Sequence, residues 1–154
     1  MCLGCYYPSH GHQCPHCSAP LCGPSCQAPS SPHSQECSTL ATADISGLDI
    51  TPFVTALRFL LLARTDLKRY KKCRQLSTNL EQRKDQPDFQ LVKERAATFS
   101  SLFPGLASEQ EIIEILCILD TNTFQVLSAG SASNLAGLYL RVSLLNHSCV
   151  PNCR

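Results

Sequence analysis

The sequence predicts an α+β chain in three regions: a small cysteine-rich finger over residues 1–40, a mostly helical segment, and a short β-containing part that ends in a polar motif. Three observations predict it. Seven of the 11 cysteines fall within the first 37 residues. From Ile50 onward, apolar residues recur at helical spacing and cysteines become sparse. After Asp120 the helical period gives way to TNTFQVL, a candidate strand, and then to AGSASNLAG, which reads as a loop.

The head is built from Cys, His, Pro, Ser and Gly with hardly any apolar period, so burial alone cannot give it a core. Its candidate ligands come in pairs: Cys2 and Cys5, Cys14 and Cys17, Cys22 and Cys26, His33 and Cys37. The spacings C-x2-C, C-x2-C, C-x3-C and H-x3-C let a knuckle turn, or one helical turn, aim two ligands at one tetrahedral ion. Four pairs supply eight ligands, enough for two zinc sites. Both would be closed, with no position for water, so the zinc ions hold the fold rather than do chemistry. Disulfides account for the cysteines less well, because their number is odd and Cys2 to Cys5 stand where an export signal would begin. His10, His12 and His16 fall outside the pairs and read as surface residues. Four pairs combine in three ways, and spacing alone does not choose among them.

The helical segment opens with Thr51 and Pro52, an N-cap followed by a residue suited to the first helical position. Phe53, Leu57, Leu60 and Leu61 follow at helical spacing, and the pattern points on toward Cys73. Lys68, Arg69, Lys71 and Lys72 near that end suit the helix dipole and read as a solvated face, with a docking surface as the sharper alternative. A second helix is predicted over Asp88 to Leu102, stopped by Pro104 and Gly105. The third has the clearest start, since Ser108 and Glu111 form a capping box before Ile112, Ile113, Ile115, Leu116 and Leu119. Cys117 in that helix reads as a small buried apolar residue.

The length of 154 residues allows one medium domain, or a small module joined to something larger. A formal charge of +1 with 16% charged residues provides no polyanion-seeking field, so no direct nucleic-acid partner is expected. The longest apolar stretch, Phe53 to Ala63, is interrupted by Thr55 and Arg58 and falls short of the roughly 20 residues a membrane span needs. An intracellular, soluble protein without membrane contact is the expectation.

The ligand ladder of the head resembles the MYND zinc finger at all eight positions in order. In that family the first and third pairs share one ion, and the second and fourth share the other. The resemblance therefore assigns Cys2, Cys5, Cys22 and Cys26 to one zinc, and Cys14, Cys17, His33 and Cys37 to the second. It also implies a protein-interaction module with partners that include proline-containing peptides; bracing the neighbouring domain is the plainer role.

Near the end of the chain, Asn146, His147, Ser148, Cys149, Pro151 and Asn152 spell NHSCxPN. That string resembles the signature of SET-domain protein-lysine methyltransferases. With GLYLRVSLL and TNTF before it and the finger upstream, the chain resembles the SET and MYND domain family, closest to its divergent arthropod members. The resemblance implies residues 1–40 as the finger and 41–154 as a helical insert with an incomplete SET β-fold. It implies that Asn122, Asn146 and His147 contact S-adenosylmethionine, and that Phe124 lines the lysine channel. Asn amides can fix such a cofactor by hydrogen bonds without adding a competing nucleophile. Cys149 corresponds to one ligand of a third zinc. Gln125 and Leu140 depart from the family pattern, which often has an acidic residue and Pro there.

Three family elements are not found: the glycine-rich cofactor loop before the finger, the strand with the catalytic tyrosine, and the later cysteine cluster. Tyr6, Tyr7, Tyr70 and Tyr139 do not match the catalytic position. The resemblance thus implies a lysine methyltransferase parent acting on histone or other protein substrates in nucleus and cytoplasm, with the present chain an inactive fragment and Cys149 an orphan ligand. The alternative is a non-catalytic, zinc-dependent interaction adaptor or transcriptional regulator.

Overall fold

The computed structural model describes residues 2–7, 9, 11–45, 50–126 and 135–144. Among the described residues the fold is α+β, mostly helical, with two small antiparallel sheets. In the head, β1 (His12–Gln13) pairs with β2 (Pro20–Leu21) so that His12 faces Leu21 and Gln13 faces Pro20. The chain between them turns tightly, Cys14 N donating to Ala19 O and Ser18 N to Cys14 O, both at 2.8 Å. Two 3-10 turns, Pro24–Gln27 and Pro32–Gln35, lead into the one-turn helix α1 (Cys37–Leu40). Proline begins each 3-10 turn, where its fixed φ is suited and its missing N–H is not needed.

Helix α2 (Thr51–Thr65) begins one residue earlier than the sequence implies, with Ile50 rather than Thr51 in the capping position. It does not run on to Cys73. Asp66 leaves the helical conformation (φ −151°, ψ 77°), and its carboxylate accepts the backbone N–H of Arg69 at 2.9 Å, which starts a new helix, α3 (Leu67–Arg74). An Asp side chain at the N-cap gives an acceptor to a first-turn N–H that the break in the helix would otherwise leave unpaired. The single turn α4 (Leu80–Arg83) has no apolar period to announce it and sits on Asn79 in the left-handed region.

Helix α5 (Phe89–Leu102) follows Asp88 and ends before Pro104 and Gly105, the latter at φ +76°. Helix α6 (Glu109–Asn122) starts as predicted, Ser108 Oγ accepting the N–H of Glu111 at 3.2 Å. The reciprocal half of the capping box is not made, because Glu111 instead accepts the hydroxyl of Tyr70 at 2.8 Å. Strand β3 (Thr123–Val126) pairs with β4 (Leu135–Leu138), Thr123 opposite Leu138 and Val126 opposite Leu135. The start of TNTFQVL is thus the last turn of α6, and part of the segment read as loop is a strand.

The core lies where α2, α5 and α6 meet. Phe99, Leu57, Ile112, Ile115, Ile118 and Cys117 are fully buried there. Leu3, Leu21 and Leu40 of the head join the same buried cluster. Arg74 holds Glu114 at 2.6 Å and Arg83 holds Asp120 at 2.9 Å, lacing the shorter helices to α6. Among the described residues, no helix is long and apolar enough to cross a membrane.

Candidate metal centres

The two ligand groups come together because the knuckles are stitched to their partners by backbone hydrogen bonds. Cys2 O accepts Tyr6 N at 2.9 Å and closes the first turn, and Leu3 N then donates to Pro20 O at 2.9 Å. That bond sets the Cys2–Cys5 turn beside β2, and Cys22 and Cys26 follow directly after β2. The second knuckle, Cys14 to Cys17, faces the Pro32–Gln35 turn instead. There Ser31 Oγ accepts His33 N at 3.2 Å, and Cys37 opens α1 one turn later.

As a result Cys2, Cys5, Cys22 and Cys26 form one group, and Cys14, Cys17, His33 and Cys37 form another, with all ligand atoms of a group within 4.8 Å of one another. Of the three pairings that spacing allows, the structure has the interleaved one. Each group can hold a metal ion. Sulfur separations are 3.5 Å for Cys5–Cys22, 3.4 Å for Cys22–Cys26 and 3.6 Å for Cys14–Cys37. A tetrahedron with Zn–S bonds of about 2.3 Å has edges of about 3.8 Å. His33 Nε2 lies 3.6 Å from Cys17 Sγ, and a tetrahedral edge between a zinc-bound nitrogen and sulfur is also about 3.6 Å. A disulfide would need about 2.05 Å, and the nine described cysteines are free thiols.

The acidities of the thiols follow from crowding. Burial pushes the Cys2 thiol up, but backbone N–H groups of Cys5, Gly4 and Cys22 outweigh it and leave the group at about 7. For Cys14, burial is outweighed by His33 and by the backbone of His16 and Cys17, and the thiol falls to about 6. Burial drives Cys17 up to about 12. The thiols of Cys26, Cys5 and Cys2 push Cys22 up to about 12 as well. Each group therefore contains a thiol that ionises easily, Cys2 or Cys14, beside thiols that resist adding further negative charge, Cys22 and Cys26 in one and Cys17 and Cys37 in the other. A bound dication would relieve that repulsion and expel the remaining protons.

Gly4 is required by close approach. A Cβ there would lie 2.5 Å from Cys26 Cβ and 3.0 Å from Cys26 Sγ and O. Gly4→Ala is expected to displace Cys26 and cost about 1–3 kcal/mol. Competition with a chromophoric chelator should show weakened metal retention in the four-cysteine group, and unchanged retention would disprove the packing argument.

Several residues singled out by sequence lie elsewhere. Asn122 is buried at the end of α6, where Nδ2 donates to Ser77 O at 2.8 Å and to Ile118 O at 2.7 Å. Phe124 is 39% exposed on β3. Asn146, His147 and Cys149 lie outside the described residues, as does His10. His12 is half-buried in β1 and His16 is exposed, both apart from the ligand groups.

Sequence reasoning passed over Glu36 and Arg58. Glu36 is fully buried, 3.4 Å from His33 Nδ1 and paired with Arg58 of α2. A signal was present: Glu36 is the only Asp, Glu, Lys or Arg in residues 1–43. No protein-family model matches the chain, and no curated protein and no solved structure matches it.

Proposed function

We propose that residues 2–40 bind two structural zinc ions as a MYND-type finger, and that the chain belongs to the SET and MYND domain family. The observation that carries the zinc reading is the interleaving of two four-ligand groups, one all-cysteine and one Cys3His, at tetrahedral edge lengths. All-sulfur and Cys3His sets select zinc over harder ions. Both groups are filled by protein ligands, so bound zinc supplies cross-linking and no Lewis-acid site. Elemental analysis or native mass spectrometry of the purified chain should find about two zinc ions. A value near zero or one overturns the assignment.

The wider reading rests on the resemblance of NHSCxPN. Under it, Asn122, Asn146 and His147 serve S-adenosylmethionine, Phe124 borders the lysine channel, and Cys149 belongs to a third zinc. S-adenosylmethionine would supply the methyl group for a lysine of a histone or another protein. A second reading is a zinc-dependent adaptor that captures proteins, including proline-containing peptides, without catalysis. It draws support from Asn122, whose amide already holds the carbonyls of Ser77 and Ile118. Because the resemblance implies that this chain alone is inactive, the assay uses the longer parent protein that the resemblance implies: transfer of labelled methyl from S-adenosylmethionine to a lysine-bearing protein supports the enzyme, and its absence in the zinc-loaded parent supports the adaptor.

A further inference from the structure

The lone charged side chain of the head is enclosed. Glu36 has no exposed side-chain surface, and an ionised carboxylate in such a place requires charged and hydrogen-bonded partners. It has two. Oε1 lies 3.4 Å from His33 Nδ1 and accepts Arg58 Nη2 at 2.7 Å, while Oε2 accepts Arg58 Nε. The other imidazole nitrogen, Nε2, is the one that meets Cys17 inside the ligand group.

Arg58 reaches the other group as well. Nη2 donates to Leu3 O at 2.5 Å, and Leu3 stands between the ligands Cys2 and Cys5. Nη1 donates to the hydroxyl of Tyr6, and the guanidinium carbon lies 5.1 Å from the centre of that ring. One side chain on α2 thus touches the surroundings of both groups. Arg58 is also the first Lys or Arg of the chain, 22 positions after Glu36.

We propose that Glu36 and Arg58 are positioning residues for the two metal centres. Glu36 accepts Nδ1–H of His33 and so keeps the imidazole in the tautomer whose Nε2 lone pair is free to bind metal. A carboxylate at that place also strengthens the donor nitrogen. Arg58 keeps Glu36 oriented and fixes the Leu3 carbonyl of the neighbouring knuckle. Its positive charge lies between two centres that are both anionic when zinc-bound, since four thiolates, or three thiolates and an imidazole, exceed the charge of the dication. Docking of α2 and metal retention in the head are therefore linked.

The inference rests on the two-zinc reading, and the test separates them. In the full chain loaded with cadmium-113, NMR should give two metal resonances distinguished by sulfur count, and long-range nitrogen–proton spectra should show His33 bound through Nε2 with its proton on Nδ1. Glu36→Gln is expected to weaken the Cys3His centre by about 10–100-fold in chelator competition, with the four-cysteine centre little changed. Arg58→Ala should weaken both centres. Arg58→Lys, which keeps the charge but loses the fork, should recover the four-cysteine centre more than the other and covers the case in which the alanine variant does not fold. Metal affinities within twofold of the unsubstituted protein in Glu36→Gln, even with a lowered melting temperature, would overturn the positioning role. Fewer than two resonances from the unsubstituted chain would overturn the two-metal reading and this inference with it.

Discussion

Removing zinc with a strong chelator at neutral pH is expected to unfold residues 2–40 while much of the α2, α5 and α6 helical signal persists. The magnitude decides this. A structural zinc contributes roughly 10–16 kcal/mol of binding free energy, against about 5–15 kcal/mol for the net stability of a whole domain. The head has no apolar core of its own to fall back on; its buried residues are largely the ligands themselves, with Leu3, Ala19, Leu21 and Leu40. Amide spectra should lose the dispersed signals of the head, and circular dichroism should lose little at the helical minimum. A head that keeps its dispersed spectrum after complete chelation would refute the structural role.

Acid should do what the chelator does, and the sign follows from the thiols. Cys17 and Cys22, pushed up to about 12, hold their protons at neutral pH until metal expels them. Zinc binding therefore releases protons, and affinity falls as pH falls. Cys14 at about 6 and Cys2 at about 7 ionise far more easily than Cys17 and Cys22. Below about pH 6 protons compete with the metal even for these thiolates, so zinc release should steepen there. A metal-sensitive dye followed across a pH titration reads the release directly.

Phe99→Ala is expected to be the most damaging single change in the helical core. Its ring is fully buried on α5 and packs against Phe103 with centroids 4.8 Å apart. Truncation removes the transfer term and leaves a cavity, together costing about 3–5 kcal/mol. For a chain of this size that corresponds to a fall in melting temperature of roughly 6–20 °C in the zinc-loaded protein. Leu91 on the same helix is 48% exposed, and Leu91→Ala should change stability by only about 0.5 kcal/mol or less. Equal melting temperatures for the two variants would mean that α5 does not pack as described.

What could be read in the sequence was what depends on local spacing. Ligand pairs, the Ser108 cap and the stop at Pro104 and Gly105 each involve residues within a few positions of one another, and each is found. What spacing could not give was anything decided by distant partners. The choice among three zinc pairings is made by Leu3 N reaching Pro20 O, a long-range bond with no local trace. The reciprocal cap at Glu111 is lost to Tyr70, 41 residues away in sequence. The break at Asp66 is locally encoded but masked, because the apolar period continues past it while a single carboxylate restarts the helix. NHSCxPN lies outside the described residues, so it remains a matter of resemblance.

The Asp66 break also sorts the helices by how they open. Of the eight residues of α3 only Cys73 is buried, whereas α6 buries eight of its 14. Helix α3 is held by its cap, by the edge-on contact of Tyr70 with Phe59 and by polar contacts to α6, and such segments open locally at free energies well below the global one. Had α2 run on without interruption, unravelling at Arg74 would have propagated into the buried turn at Phe59. With Asp66 in place, the lysine-bearing helix can fray and re-form as its own unit while α2 keeps Arg58 seated between the two metal centres.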